Sequence, residues 1–111
     1  MSLTVEKVRE LALGFEESVE LPHFHLTSFR IRKKIFATID VEKRLAMISL
    51  TPVEQSLFVD DDTIYPVPNA WGAKGATYFE IGRVRPEVFK DALRVAYRGK
   101  APAKLAEKYQ D

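Results

Sequence analysis

The chain reads as an α+β domain: a single antiparallel sheet with N-terminal, short middle and C-terminal helices packed on one side. Three observations predict this. Apolar residues recur at three- and four-residue spacing near both ends, through Val5, Val8, Leu11, Ala12 and Phe15 and again through Val88, Phe89, Ala92, Leu93, Ala96 and Tyr97. Between them lie consecutive short stretches with strand alternation. The resulting order of helix, three strands, short helix, strand and two helices is that of helices segregated to one face of an antiparallel sheet.

The first helix spans about Thr4–Leu13, and Gly14 is placed to stop it. Glu16–Phe24 is acidic, contains Pro22 and is expected to be a connection. Strands follow at Leu26–Arg32, Ile35–Asp40 and Leu45–Leu50. In the first, Phe29 and Ile31 face one way and Arg30 and Arg32 the other. Leu45-Ala46-Met47-Ile48 is apolar on both faces and belongs near the centre of the sheet. Thr51-Pro52-Val53-Glu54 has the residues of a capping box with proline at the first helical position, so a short helix runs from Pro52 to about Val59. Asp60-Asp61-Asp62 would oppose its dipole, so it ends before them. Tyr65-Pro66-Val67-Pro68 must be extended. Trp71-Gly72-Ala73-Lys74-Gly75 is a glycine-bracketed turn into a last strand, Ala76–Ile81. A long helix runs from Pro86 to about Arg98 with Gly99 as its stop, and a final turn or two after Pro102 turns Leu105, Ala106 and Tyr109 inward. The predicted core joins Phe29, Ile35, Ala46 and Ile48 to Phe89 and Leu93. Trp71 is expected to be at least half buried, with a positive φ at Gly72 or Gly75.

With 111 residues and no Pro/Gly/Ser-rich break, residues 1–111 form one domain; Met1-Ser2-Leu3 reads equally as native sequence or as a cloning remnant. The 46% hydrophobic content suits a packed core. Cysteine is absent, which removes disulfides, thiolate nucleophiles and cysteine metal sites. No apolar run is long enough for a membrane span and no signal-peptide pattern opens the chain, so the expected location is the cytoplasm. The net charge is only +1, but it is unevenly distributed. Arg30 to Arg44 holds six cations against Asp40 and Glu42, while acids gather at Glu16, Glu17 and Glu20 and at Glu54 and Asp60 to Asp62.

The basic ribbon comprises Arg30, Arg32, Lys33 and Lys34, with Lys43 and Arg44 on the next connection. Arginine forks and lysine point charges at such positions suit phosphates, and would position a nucleic acid without reading its bases. The competing explanation is the solvent face of an amphipathic hairpin, with lysines blunting a sheet edge. Trp71 beside Lys74 has the make-up of a stacking platform, although a lone tryptophan in a small domain is more often core. His23 and His25 are too few for a zinc site. Ser18, Ser28, Ser49 and Ser56 lack any nucleophile motif, and no phosphate-cradling glycine loop is present.

In pattern the chain resembles the YjbR/MmcQ family. The likeness runs through the acidic loop ending Leu21-Pro22-His23, Ser28-Phe29-Arg30-Ile31, Lys34-Ile35-Phe36-Ala37, the capped helix at Thr51, the Trp71–Gly75 turn and the closing helix reaching Tyr97. Ala76 stands where the family often has a tryptophan. The resemblance implies a frataxin-like double-wing domain, a DNA-binding role and no catalytic residues. An iron surface of the frataxin kind is not expected, because Glu6 and Glu10 are interleaved with Lys7 and Arg9. The functional expectation is a small cytoplasmic protein that binds DNA weakly and without sequence specificity, with no cofactor, no metal and no catalytic activity. The alternative is a protein-interaction or regulatory module.

Overall fold

The computed structural model describes residues 2–110. The elements are α1 (Val5–Leu13), β1 (Ser18–His23), β2 (Leu26–Ile31), β3 (Lys34–Asp40), β4 (Leu45–Ser49), α2 (Pro52–Phe58), β5 (Ile64–Pro66), α3 (Ala70–Ala73), β6 (Ala76–Glu80), α4 (Pro86–Lys100) and α5 (Ala103–Ala106), ending in a 3₁₀ turn at Glu107–Tyr109. The sheet is wholly antiparallel in the order β1-β2-β3-β4-β6-β5. This is the predicted α+β class with the helices on one side. Among the described residues no helix is long and apolar enough to cross a membrane.

The core lies between the sheet and the apolar stripes of α1 (Val5, Val8, Ala12) and α4 (Phe89, Ala92, Leu93, Ala96, Tyr97). Phe29, Ala37, Ile39, Ala46, Ile48 and Phe79 meet them from the sheet and are buried. Phe79 packs edge-on against Phe89 with ring centroids 5.7 Å apart. Leu3 is also buried, at 1% exposure, so the core includes the start of the described chain. Near the other end, Phe15 stacks on Tyr97 at 4.5 Å, and the Tyr97 hydroxyl donates to the Glu16 carbonyl at 2.6 Å. This aromatic cluster fixes the loop between α1 and β1 to the C-terminal helices.

Four local expectations change. Most of Glu16–Phe24 forms β1 rather than a connection. As an edge strand it pairs only with β2, and an edge tolerates Pro22. Tyr65 and Pro66 are extended as expected, and with Ile64 they pair as a short edge strand beside β6. Ile35 leaves the predicted core because the β2–β3 register shifts between Phe29 and Arg30. That bulge puts Phe36 beside Ala37 on the helix-covered side, 5.5 Å from the Tyr97 ring, and turns Ile35 to the other face. Gly99 continues α4, which ends just before Ala101-Pro102. Finally, the tryptophan turn contains a short helix, and Trp71 is 66% exposed instead of buried. Gly75 does take the expected positive φ, at 114°.

The capped helix forms as read: the Thr51 hydroxyl accepts from the Glu54 amide at 3.2 Å, and the Glu54 carboxylate accepts from the Thr51 amide at 2.9 Å. It ends at Phe58, before the three aspartates. Asp60 then serves the next turn, its carboxylate accepting from the amides of Asp62, Thr63 and Ile64, and these bonds hold its pKa below the ordinary value despite the opposing effect of burial.

Candidate functional site

Alternation along the strands sends every second side chain to the face that carries no helices. There Leu26, Ile35, Leu45, Met47 and Tyr78 floor an open trough of about 770 Å³. The register sets its two ends. Antiparallel pairing of Ser49 with Ala76 and of Ile48 with Ala37 places the start of β6 beside the start of β3. The turn that presents Trp71, and the Arg32–Lys33 turn, therefore stand at one end. The Phe24–His25 and Val41–Arg44 turns stand at the other, about 20 Å away along the seven residues of β3.

The residues of the basic ribbon are thus divided. Arg30 is half-buried on the open face, and its Nε donates to the Ser28 hydroxyl at 3.0 Å. Arg32 is held by Glu17 through two bonds, Nε to Oε1 at 2.6 Å and Nη2 to Oε2 at 3.1 Å, which raise its pKa and lower that of Glu17. Lys33 and Lys34 are exposed. Lys43 and Arg44 belong to the opposite end, where Lys43 lines the trough and Arg44 Nη2 lies 3.3 Å from where a Cβ on Gly82 would sit. Lys74 stands over the Trp71 ring with Nζ 5.4 Å from its centroid, a cation–π arrangement. Lys100, at the end of α4, also lines the trough; it escaped the sequence reading because it belongs to a helix packed on the other face of the sheet.

The Trp71 platform is held from several directions. The Asn69 side chain accepts from the Trp71 amide at 2.8 Å. Gln55 Nε2 donates towards the Gly72 and Ala76 carbonyls, at 3.0 and 3.1 Å, and towards the Thr77 hydroxyl at 3.1 Å. Any Cβ at Gly72 would lie 1.7 Å from the Val67 carbonyl oxygen, and one at Gly75 would lie 2.0 Å from that of Leu50. Glycine is required at both places by close backbone approach.

At the far end Phe24 is 90% exposed and has φ 58°, so a bulky ring is held outward from a left-handed position. His23 packs edge-on against it at 4.8 Å. His25 Nε2 lies 3.6 Å from Asp40 Oδ2, and the other Asp40 oxygen accepts from the Lys43 amide at 3.1 Å. Asp40 is the carboxylate among the lining residues, set against Lys43 and Lys100. Among the described residues no three His, Cys, Asp or Glu side chains converge as a metal site would require. Apolar in floor and cationic at both ends, the trough suits a ligand with flat apolar surfaces and negative charges.

No family model matches the chain, and no curated protein matches its sequence. The chain is similar in structure to the Deinococcus radiodurans protein DR2400, whose crystal structure contains a DUF419 domain. The TM-score is 0.74 at 14% sequence identity, over 97% of this chain and 88% of that one. DUF419 is a YjbR/MmcQ-like family, so the fold expected from the sequence resemblance is found. At this identity the likeness is one of fold.

Proposed function

We propose that this chain is a YjbR/MmcQ-like, cytoplasmic, non-catalytic protein that binds DNA weakly and without sequence preference through the open face of its sheet. The observation that carries this reading is the charge arrangement of that face. Lysines stand at both ends of the trough, and Asp40 is already engaged by the Lys43 amide and His25. Phosphate contacts from flexible lysines give affinity without base readout. With a net charge of +1 and a handful of available cations, dissociation constants in the micromolar range or weaker are expected at physiological salt. A non-catalytic role is supported by how the polar groups are engaged: the Ser28 hydroxyl donates to the Leu21 carbonyl, and Tyr65, whose pKa is pushed up to about 12 by its bond to Glu80, belongs to a structural ion-pair network.

A second reading, a protein-interaction module, is favoured by a different surface. Val53 and Leu57, one turn apart on α2, are 73% and 78% exposed.

The test is fluorescence anisotropy of labelled DNA at two salt concentrations. The triple variant Arg30→Ala/Lys33→Ala/Lys34→Ala is expected to flatten the slope of log affinity against log salt by about 0.9 for each phosphate no longer neutralised. Arg32→Ala should leave the slope nearly unchanged, because Glu17 already neutralises that guanidinium. Failure of the wild-type protein to associate even at low salt would transfer the assignment to the protein-interaction reading.

A further inference from the structure

We infer that the trough takes single-stranded rather than duplex nucleic acid, with bases stacked on Trp71 and Phe24 and phosphates met by Lys74, Lys100 and Lys43. This rests on the nucleic-acid reading above and assigns the form of the ligand. Trp71 and Phe24 leave large aromatic surfaces in water, at 66% and 90% exposure. A domain that buries Phe29, Phe36, Phe79, Phe89 and Tyr97 completely has no difficulty hiding rings, so these two are exposed by their local backbone. Phe24 occupies a left-handed conformation that a bulky residue rarely adopts. Trp71 sits on a turn fixed by Asn69, Gln55 and two glycines that accept no side chain. Both rings are therefore preorganised, one at each end of the same trough, with Tyr78 between them.

Bases in a duplex are already stacked on their neighbours and offer a protein their edges and phosphates. An unpaired strand offers base faces, which stack on exposed aromatic rings regardless of sequence. The apolar floor of Leu26, Leu45 and Met47 matches base faces, and the lysines at the two ends match a backbone running along the strand direction. Lys74, over the Trp71 ring, is placed to neutralise a phosphate next to a base stacked there.

The experiment compares a labelled oligothymidylate with a labelled duplex of equal length at low salt, following anisotropy and tryptophan emission together. Trp71 is the sole tryptophan, so emission reports on this position alone. The single strand should bind more tightly than the duplex and quench Trp71 emission, while the duplex leaves emission unchanged. Trp71→Ala should weaken single-strand binding on the order of tenfold, with duplex binding unaltered and partial recovery in Trp71→Phe. Circular dichroism of the variants checks that folding is intact, as the exposure of Trp71 implies. Duplex binding as tight as single-strand binding, or a Trp71→Ala protein with unchanged single-strand affinity, would overturn this inference and leave the nucleic-acid reading standing. Absence of binding to either ligand would remove both.

Discussion

Left-handed backbone is taken up by unusual residues in this chain. Phe24, Arg32, Lys33 and Arg44 all have φ between 51° and 72°, at hairpin positions where glycine or asparagine is ordinarily preferred. Each such residue costs on the order of 1 kcal/mol relative to glycine in the same conformation. At Phe24 no core packing offsets that cost, since the ring is 90% exposed and meets His23 edge-on. Phe24→Gly is accordingly expected to raise stability by about 1 kcal/mol in urea unfolding, because it relieves the conformation and removes little burial. The same variant should bind oligothymidylate more weakly than wild type. A gain in stability coupled to a loss of binding identifies a residue kept for its surface; a Phe24→Gly protein less stable than wild type would show instead that the ring supports the hairpin.

Among the elements, those specified by local chemistry were legible in the sequence. α1, β2 to β4, β6 and α4 have clear apolar periodicity, and α2 has its capping box. β1 was not legible, because an edge strand needs a partner on one side only and can carry proline, so Pro22 resembled a loop residue; at β5 the extended backbone of Tyr65-Pro66 was legible but its pairing with β6 was not. The bulge that exchanges Ile35 for Phe36 depends on pairing with β2 and has no local signature. The β5–β6 edge is secured by a polar network that the sequence also concealed. Tyr65 donates to Glu80 at 2.7 Å, and Arg83 bridges Glu80 and Asp62 at 2.5 and 2.6 Å. The bond to Glu80, reinforced by burial, pushes the Tyr65 pKa up to about 12, and the bonds from Tyr65 and Arg83 hold Glu80 below its ordinary 4.5. Tyr65 contributes stability that is complete below its unfolded value near 10 and disappears as pH rises to about 12. Glu80 contributes stability that is complete above about 4.5 and is lost as pH falls through its lowered folded value. Glu80→Gln should therefore cost about 1 kcal/mol at neutral pH and flatten both the acid and the alkaline limbs of a stability–pH profile. Parallel limbs in the two proteins would mean that the network does not contribute to stability.

At the scale of the molecule, the sequence contained the cations of the candidate site but not their arrangement. Arg30, Lys33 and Lys34 are separated from Lys43 and Arg44 by the length of β3, and the trough between them is assembled from residues as distant in sequence as His25 and Lys100. The exposure of Trp71 was equally hidden, since close backbone packing at Gly72 and Gly75, and not hydrophobicity, decides which way that turn presents its ring. The separation of about 20 Å exceeds the Debye length of about 8 Å at physiological salt. Lys74 at the Trp71 end and Lys43 at the other should therefore act independently on one bound strand. Lys74→Ala and Lys43→Ala should each lower the salt slope of oligothymidylate binding by about 0.7 for every phosphate left without its cation, and the two changes combined should lower it by the sum. Affinity losses should add in the same way, within about 0.5 kcal/mol. A strand bound at one end alone would respond to only one of the two changes, and the combined variant would then match the more damaging of its parents.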